Sequence, residues 1–313
     1  PRSTLFPYTT LFRSEKTTFI VWGIMVDGWI ILDKPSGISS RGAGGRVARM
    51  FGAKTFGHIG TLDPMASGLL PLALGQATKM IPYLESDKIK EYLFSIKWGI
   101  QTDTLDAKGR EIKSGGKTPT RNEIISACEK LIGEYEQIPP QYSAIHIDGQ
   151  RAYQMACHGV SVDIPPRRVL IKELELVDFD TATFRVVCGV GTYVRSLARD
   201  IAEFCGTLAT VDMIRRIRTN GFNIKNAVKL DFLENLYNNG ADFEEYLKSI
   251  DFGLGDIPVL NLNDGDADFY KNGGFVEMAA AIESGPHRVY TDDKFIGIGW
   301  VGNGSLRPKR TIK

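Results

Sequence analysis

The stretch Gly57-His58-Ile59-Gly60-Thr61-Leu62-Asp63-Pro64-Met65-Ala66-Ser67-Gly68-Leu69-Leu70-Pro71 decides the fold, because it joins a glycine-punctuated loop to an apolar run. Gly60 allows backbone angles that other residues avoid, and Pro64 biases Asp63 toward an extended backbone. The run Leu69–Leu74 is predicted to be a buried strand that anchors the loop. A carboxylate on such a loop is a common arrangement for a nucleophile or a base, although Asp-Pro also occurs in ordinary surface turns.

The composition is that of a globular chain with ample core material. The 313 residues are 43% hydrophobic and 24% charged, and the formal net charge is +1. This length permits one large domain and a small one. Because the net charge is close to zero, any basic surface must come from local clusters. Such clusters occur at Arg167-Arg168, at Arg215-Arg216-Ile217-Arg218 and at Arg307-Pro308-Lys309-Arg310, although a charge run is more often a solvated face.

The cysteines argue against a metal site. Cys128, Cys157, Cys188 and Cys205 are far apart in the sequence, with no Cys-x-x-Cys pair and no histidine at ligand spacing. Reduced thiols in a cytoplasm fit this pattern better than zinc or a disulfide framework. The longest early apolar run, at residues 19–26, is too short to span a bilayer. We therefore expect a cytoplasmic chain without membrane or metal partners.

The chain is expected to have three parts. Residues 1–24 are interpreted as an artefactual or disordered leader, because residues 4–14 look like the translation of a common sequencing-adapter oligonucleotide; Met25 is taken as the start. The composition shifts shortly before a series of short glycine-rich segments. We expect a large domain at residues 25–250 and a small β-rich module at residues 251–313.

Helices and strands follow one another without regular alternation in the large domain. This predicts an α+β fold with a mixed, mainly antiparallel central sheet and flanking helices. Thr120 and Glu123 form the sequence pattern of a capping box. A later helix is expected to turn four apolar residues inward: Leu197, Ile201, Phe204 and Leu208.

Six motifs occur in order along the chain: Lys34-Pro35-x-Gly37-x-Ser39-Ser40, the block Gly57–Leu70, Tyr92, Thr102-Asp103-Thr104, Gln141-Tyr142-Ser143-Ala144 and Gly191-Thr192-Tyr193-Val194-Arg195. Together they resemble the TruB family of tRNA pseudouridine synthases. The resemblance implies isomerisation of uridine 55 in the TΨC loop of tRNA. It also implies an eight-stranded antiparallel catalytic core at residues 25–250 and an RNA-binding C-terminal module similar to a PUA domain.

The implied chemistry requires no cofactor. Pseudouridine formation breaks the C1′–N1 bond, turns the uracil and rejoins it through C5, so nothing is oxidised and no group is gained. By resemblance, Asp63 is the reacting carboxylate; attack at C1′, attack at C6 and a glycal route all stay open. Arg195 matches the arginine that pairs with this aspartate. Tyr92 matches the tyrosine that stacks on the target base, and its hydroxyl would take the proton from C2′.

Six further residues are expected to bind the substrate. His58 matches the histidine that enters the space left by the flipped base, although alone it would be an ordinary hydrogen-bonded loop histidine. The others match residues that line the pocket: Lys34, Tyr193, Gly60, Thr61 and Leu62. The basic clusters would contact phosphates and make binding salt-dependent.

Three positions depart from the family pattern. Cys157 stands where the family commonly has arginine, and His146 and Val190 each replace a frequent lysine. Each change exchanges a fixed charge for a neutral or titrating group. These departures bear on RNA affinity and not on the chemistry, because Asp63 and Arg195 are both present.

Two other functions compete with this interpretation. One is an RNA-binding folding chaperone whose catalysis is incidental or lost. The other is a glycoside hydrolase, which needs two facing carboxylates; Asp103 and Asp106 lie in a polar loop with no sign of being the partner of Asp63. Under the favoured interpretation, the partner is the T arm of tRNA and the protein is a monomer.

Overall fold

A computed structural model describes residues 26–84, 89–143, 145–147, 149–159, 162–279 and 281–312. The expected leader, Met25 and Ala144 of the fifth motif lie outside these ranges.

Seven α-helices occur in the described part of the chain: α1 (Ser40–Met50), α2 (Ile81–Leu84), α3 (Arg121–Leu131), α4 (Ala152–Cys157), α5 (Val194–Phe204), α6 (Leu230–Asn238) and α7 (Asp264–Lys271). The described strands are β1 (Gly28–Lys34), β2 (Phe56–His58), β3 (Ser67–Leu74), β4 (Ile89–Trp98), β5 (Ile100–Thr102), β6 (Glu111–Ser114), β7 (Gly133–Gln137), β8 (His146–Ile147), β9 (Gln150–Arg151), β10 (Arg167–Asp178), β11 (Thr183–Gly189), β12 (Ala209–Thr219), β13 (Phe222–Asn223), β14 (Val228–Lys229), β15 (Leu247–Lys248), β16 (Val259–Asn261), β17 (Val276–Glu277), β18 (Gly285–Thr291), β19 (Lys294–Gly302) and β20 (Ser305–Thr311).

Eight strands form the main path of the large sheet, in the order β14-β1-β3-β12-β4-β11-β10-β7, and β2, β13 and β15 pair off this path. Neighbouring strands on the path are antiparallel except for two parallel pairs, β1 with β14 and β3 with β12. The predicted α+β fold with a mixed, mainly antiparallel sheet is confirmed.

Strand β3 is apolar at nearly every position because both of its faces are covered. Leu70, Leu72 and Leu74 pack into the core that the sheet forms with α1, α3 and α5. Leu69 and Ala73 point to the other side and join a second core. A strand buried on both faces is a continuous apolar run and not an alternating one. The loop that holds Asp63 is therefore attached to the interior of the protein.

The helix predictions succeed at the helix starts and fail at one end. Thr120 and Glu123 form the predicted capping box of α3, with each side chain accepting a hydrogen bond from the backbone amide of the other. Phe204, expected inward, is 52% exposed and lies 5.5 Å beneath the Lys130 ammonium. It is the last residue of α5, so Leu208 lies beyond the helix.

The C-terminal part forms a separate five-stranded sheet in the order β16-β18-β19-β20-β17. Helix α7 packs on it through Ala267 and Tyr270, and the sequence analysis missed this short, polar helix. Phe295 and Ile298 of the same sheet also enter the second core, where they meet Trp29 and other residues behind β1 and β3. Among the described residues, no helix is long and apolar enough to cross a membrane.

The double burial of β3 predicts a large stability cost for truncating Leu70. Leu70→Ala should lower the free energy of unfolding by about 2–5 kcal/mol, because the side chain is fully buried and leaves a cavity. Val177→Ala is the control, since Val177 is 57% exposed and its truncation should change stability by no more than about 0.5 kcal/mol. Urea unfolding followed by circular dichroism measures both. Equal losses in the two variants would contradict the proposed anchoring role of β3.

Candidate active site

The loop that presents Asp63 is fixed on both sides by backbone hydrogen bonds. The Ser40 hydroxyl accepts from the Leu62 amide at 2.8 Å and donates to the Leu62 carbonyl at 2.9 Å. After Asp63, the Pro64 carbonyl accepts from the Gly37 amide at 2.7 Å. Gly60 has a φ of +64°, a conformation that favours glycine. The loop is therefore held to the N-terminal end of α1 and to the turn before it.

Arg195 brings three loops together at one guanidinium. Its Nε lies 2.9 Å from Asp63 Oδ2, an ion pair in which the N–H bond is not aligned with the oxygen. Its Nη1 donates to the Thr104 carbonyl at 2.8 Å, and its Nη2 donates to the Tyr142 carbonyl at 2.9 Å. The Arg195 side chain is 4% exposed, whereas that of Asp63 is 40% exposed. A buried cation thus holds a carboxylate that a ligand can reach.

Asp106, which the sequence placed in a polar loop with no sign of being the partner of Asp63, is a second carboxylate near this arginine. Its Oδ2 lies 3.9 Å from Arg195 Nη1, and its Oδ1 accepts from the Thr104 hydroxyl and the Lys108 amide. No spacing in the sequence indicates this approach, because the loop reaches the site only through the fold. Asp106 therefore faces Arg195 together with Asp63 and balances the buried positive charge.

Tyr92 lies beneath the same site. It is 7% exposed and stands opposite Arg216 in the pairing of β4 with β12. Burial raises the pKa of Tyr92 to about 12, while the charge of Arg216 and a hydrogen bond to it act in the opposite direction. The phenol is therefore protonated at neutral pH in the absence of substrate.

Lys34 and Tyr193 lie close enough to Asp63 for its charge to act on them, Lys34 fully buried and Tyr193 partly exposed. Lys34 is fully buried and donates to the carbonyls of Pro35 at 2.8 Å and Ile38 at 2.7 Å. Burial lowers the pKa of Lys34 to about 8, although the Asp63 charge raises it. Tyr193 precedes α5 and is half-buried, with its amide bonded to Gln137 Oε1. Both residues border the site from within the protein.

His58 ends β2, just before the Asp63 loop. Among the described residues, its Nδ1 has no hydrogen-bond partner. Burial lowers the pKa of His58 below its ordinary value of 6.5, and the charge of Arg216 lowers it further. The ring is therefore neutral near pH 7. Of the remaining substrate-binding candidates, Thr61 is exposed and Leu62 is buried.

The expectation that the whole Arg215–Arg218 cluster contacts phosphates is wrong for Arg216. Its side chain is fully buried and cannot reach a phosphate outside the protein. Arg215 and Arg218 are part-exposed, but they pair with Asp33 and Glu91 respectively. Arg215 and Arg216 point to opposite faces because they are neighbours on a strand. A register shift between Arg216 and Arg218 in the pairing with β4 keeps Arg218 from sharing the buried face of Arg216.

The three departures from the family pattern lie at the surface. Cys157 and His146 are exposed, and Val190 is 48% exposed. No cluster of three or more histidine, cysteine or acidic side chains that could hold a metal ion occurs in the described ranges.

Comparison with known proteins agrees with this geometry. Residues 48–194 match the model of the TruB family pseudouridylate synthase N-terminal domain, and residues 258–312 match that of pseudouridine synthase II TruB, C-terminal. The tRNA pseudouridine synthase B of Caulobacter vibrioides is 45% identical, covering 93% of this chain and 97% of the relative. The chain belongs to the TruB family. The protein of the same description from Gluconacetobacter diazotrophicus is 39% identical over 93% of this chain and 98% of the relative.

Solved structures share the TruB fold at greater distance. A chain of a Cbf5-Nop10-Gar1 complex has a TM-score of 0.65 and 22% identity, covering 91% of this chain and 84% of that one. A chain of the archaeal box H/ACA sRNP Nop10-Cbf5 complex has a TM-score of 0.63 and 23% identity, covering 91% and 85%. At such identities the likeness concerns the fold alone.

The depressed pKa of His58 predicts a loss of stability in acid. Below pH 6.5 the unfolded chain protonates this histidine while the folded chain resists, so stability is lost as pH falls. Between about pH 7.5 and about pH 5.5, the urea midpoint should fall more in the wild type than in His58→Gln, which does not titrate. His158→Gln replaces an exposed histidine and should behave as the wild type. Equal falls in wild type and His58→Gln would show that the His58 environment does not disfavour its charged form.

Proposed function

We propose that this TruB-family chain converts uridine 55 in the T arm of tRNA to pseudouridine, with Asp63 as the reacting carboxylate. The observation that carries the proposal is the pair of an accessible Asp63 and a buried Arg195, 2.9 Å apart. A fixed guanidinium holds the acid in one orientation before the substrate arrives, which lowers the entropic cost of reaction. The relatives described as tRNA pseudouridine synthase B support tRNA as the substrate.

The residues near Asp63 fit an isomerisation better than a hydrolysis, because the second nearby carboxylate, Asp106, is a charge partner of Arg195. The C1′–N1 bond breaks, the uracil turns and C5 bonds to C1′. C5 then loses its proton and N1 gains one, so the product is an isomer of the substrate. If the reaction follows a glycal route, Tyr92 is the candidate to take a proton from C2′, and because its phenol is protonated it must first pass its own proton to another group. Attack of Asp63 on C1′ or C6 stays open. Asp106 faces Arg195 and lies 3.9 Å from it, so its setting is that of a charge partner of the arginine.

The target base must leave its stack within the folded RNA to reach Asp63. Extrusion costs on the order of a few kcal/mol, which contacts in the pocket must offset. His58, Gly60, Thr61 and Leu62 all belong to the segment that leads to Asp63 and are proposed to contact the extruded nucleotide or the space it leaves. A neutral His58 can fill that space without desolvating a charge.

We also propose that the chain has two domains, a catalytic domain at residues 25–250 and a PUA-like RNA-binding module at residues 251–313. The protein would act as a monomer in the cytoplasm. Arg307 lies over the Phe275 ring at 5.8 Å, which gives the module an exposed aromatic and basic face suited to RNA. The reaction as written needs no cofactor, because its substrate and product are isomers.

Replacing the proposed carboxylate should remove the chemistry and keep the complex. With unmodified tRNA transcript, Asp63→Asn should lower pseudouridine formation by roughly 1,000-fold or more, because an amide cannot replace the reacting carboxylate. Binding of tRNA should change by less than about threefold. Mapping of pseudouridine by chemical labelling and primer extension gives the site, and filter binding gives the affinity.

Asp212→Asn is the matched control, since Asp212 is an exposed residue that pairs with Lys97 on β4. It should keep both activity and binding. Full turnover by Asp63→Asn would contradict the mechanism, and modification of other uridines with none at position 55 would contradict the substrate. A wild-type chain that binds tRNA without modifying it would favour the chaperone function.

A further inference from the structure

Arg216 is a fully buried arginine that contacts both ends of the Asp63 loop. Its Nε donates to the Leu69 carbonyl at 2.8 Å. Its Nη2 donates to the carbonyls of Ile59 at 3.2 Å and Gly60 at 3.0 Å. Ile59 and Gly60 precede Asp63 in the chain, and Leu69 follows it. One guanidinium on β12 therefore joins the entry and the exit of the loop.

The charge of Arg216 has no carboxylate within 4.0 Å among the described residues, unlike those of its neighbours Arg215 and Arg218. Burying a cation with only carbonyl partners is costly. Its Nη1 makes no aligned hydrogen bond to any described residue, although the Tyr92 phenol lies beside the guanidinium. An apolar residue of similar length would fill the space at lower cost, so packing alone does not explain an arginine here.

Gly60 of the loop and Gly68, the second residue of β3, lie directly against Arg216. A Cβ atom on Gly60 would lie 2.8 Å from Arg216 Nη1, and a Cβ atom on Gly68 would lie 2.3 Å from the Arg216 carbonyl oxygen. Both glycines also have positive φ values, +64° and +101°. The loop backbone thus lies directly against the arginine on both sides of Asp63, closer than any other residue type allows.

Three groups of the proposed site lie close enough to this cation for its charge to act on them: Lys34, His58 and Tyr92. The charge of Arg216 lowers the pKa values of Lys34, His58 and Tyr92, which come from three different strands. Tyr92 is also its direct partner in the pairing of β4 with β12. Arg216 is therefore connected to the tyrosine as well as to the loop.

We propose that Arg216 is a positioning residue of this reaction, which holds the Asp63 loop and the Tyr92 ring in their reactive arrangement from beneath the site. The inference rests on the proposed function. It assigns Arg216 no contact with RNA and no share in the bond changes. Loss of Arg216 should therefore slow the chemical step and leave tRNA affinity unchanged.

The test compares Arg216→Lys and Arg216→Met with the wild type in single-turnover and steady-state assays on unmodified tRNA transcript. A displacement of about 1 Å at the reacting groups can cost 100-fold in rate. We expect kcat to fall about 100-fold in Arg216→Met and about tenfold in Arg216→Lys, with KM within about threefold of the wild type in both. Lysine keeps the charge and the length but cannot reach all three carbonyls with one nitrogen.

Arg185→Met is the matched control for loss of a partly buried arginine from the same sheet. Arg185 lies on β11, where it pairs with Glu91 and Glu173, and its loss should leave kcat unchanged. A normal kcat in Arg216→Met or Arg216→Lys, or an effect on KM alone, would overturn the inference. If Arg216→Met does not fold, Arg216→Lys decides.

Hydrogen exchange tests the anchoring without any turnover. Amides of residues 58–69 should lose protection in Arg216→Lys and keep it in Arg185→Met, because only the first variant releases the loop. Unchanged protection of residues 58–69 in Arg216→Lys would overturn the inference, even if the wild-type enzyme forms pseudouridine. A wild-type chain that forms no pseudouridine would instead refute the proposed function, and the exchange result would still decide whether Arg216 anchors the loop.

Discussion

The ion pair of Arg195 with Asp63 joins the end of one loop to the start of a helix that is distant in the chain. This pair differs from a surface ion pair because the arginine side chain is only 4% exposed, while that of the aspartate is 40% exposed. The arginine is already committed to the carbonyls of Thr104 and Tyr142, so it cannot turn away from the site. A surface pair of the same length would contribute little, because both side chains would pay the entropy of being held.

The large sheet supplies the rigid base that this pair requires. Strand β3 is covered on one face by the helices and on the other by the second core, which includes residues of the C-terminal sheet. A slip of this strand by one residue would exchange the side chains that fill the two cores, so packing on both faces holds the strand in register. The loop before β3 is therefore held in place at the end where it joins the strand. The C-terminal sheet therefore supports β3, and through it the site, from behind.

Two arginines hold the Asp63 loop through different groups. Arg195 meets the carboxylate itself, and Arg216 meets the backbone on either side of it. The first is balanced by Asp63 and Asp106, whereas the second donates to carbonyls, lies beside the Tyr92 phenol and has no carboxylate within 4.0 Å among the described residues. This arrangement places positive charge beneath His58 and Lys34 and favours their neutral forms. The site thus combines the accessible Asp63 carboxylate with the buried positive charge of Arg216.

The sequence by itself determined the α+β class, the capping box at Thr120 and the identity of the candidate acid, because these depend on local pattern and on ordered motifs. It could not determine that Arg216 is buried while Arg215 and Arg218 reach the surface, since the three are adjacent basic residues in one run. Nor could it place Asp106 beside Arg195, or leave Phe204 exposed at the end of α5. Only the tertiary structure decided these points, because burial and charge pairing depend on which distant segments the sheet brings together.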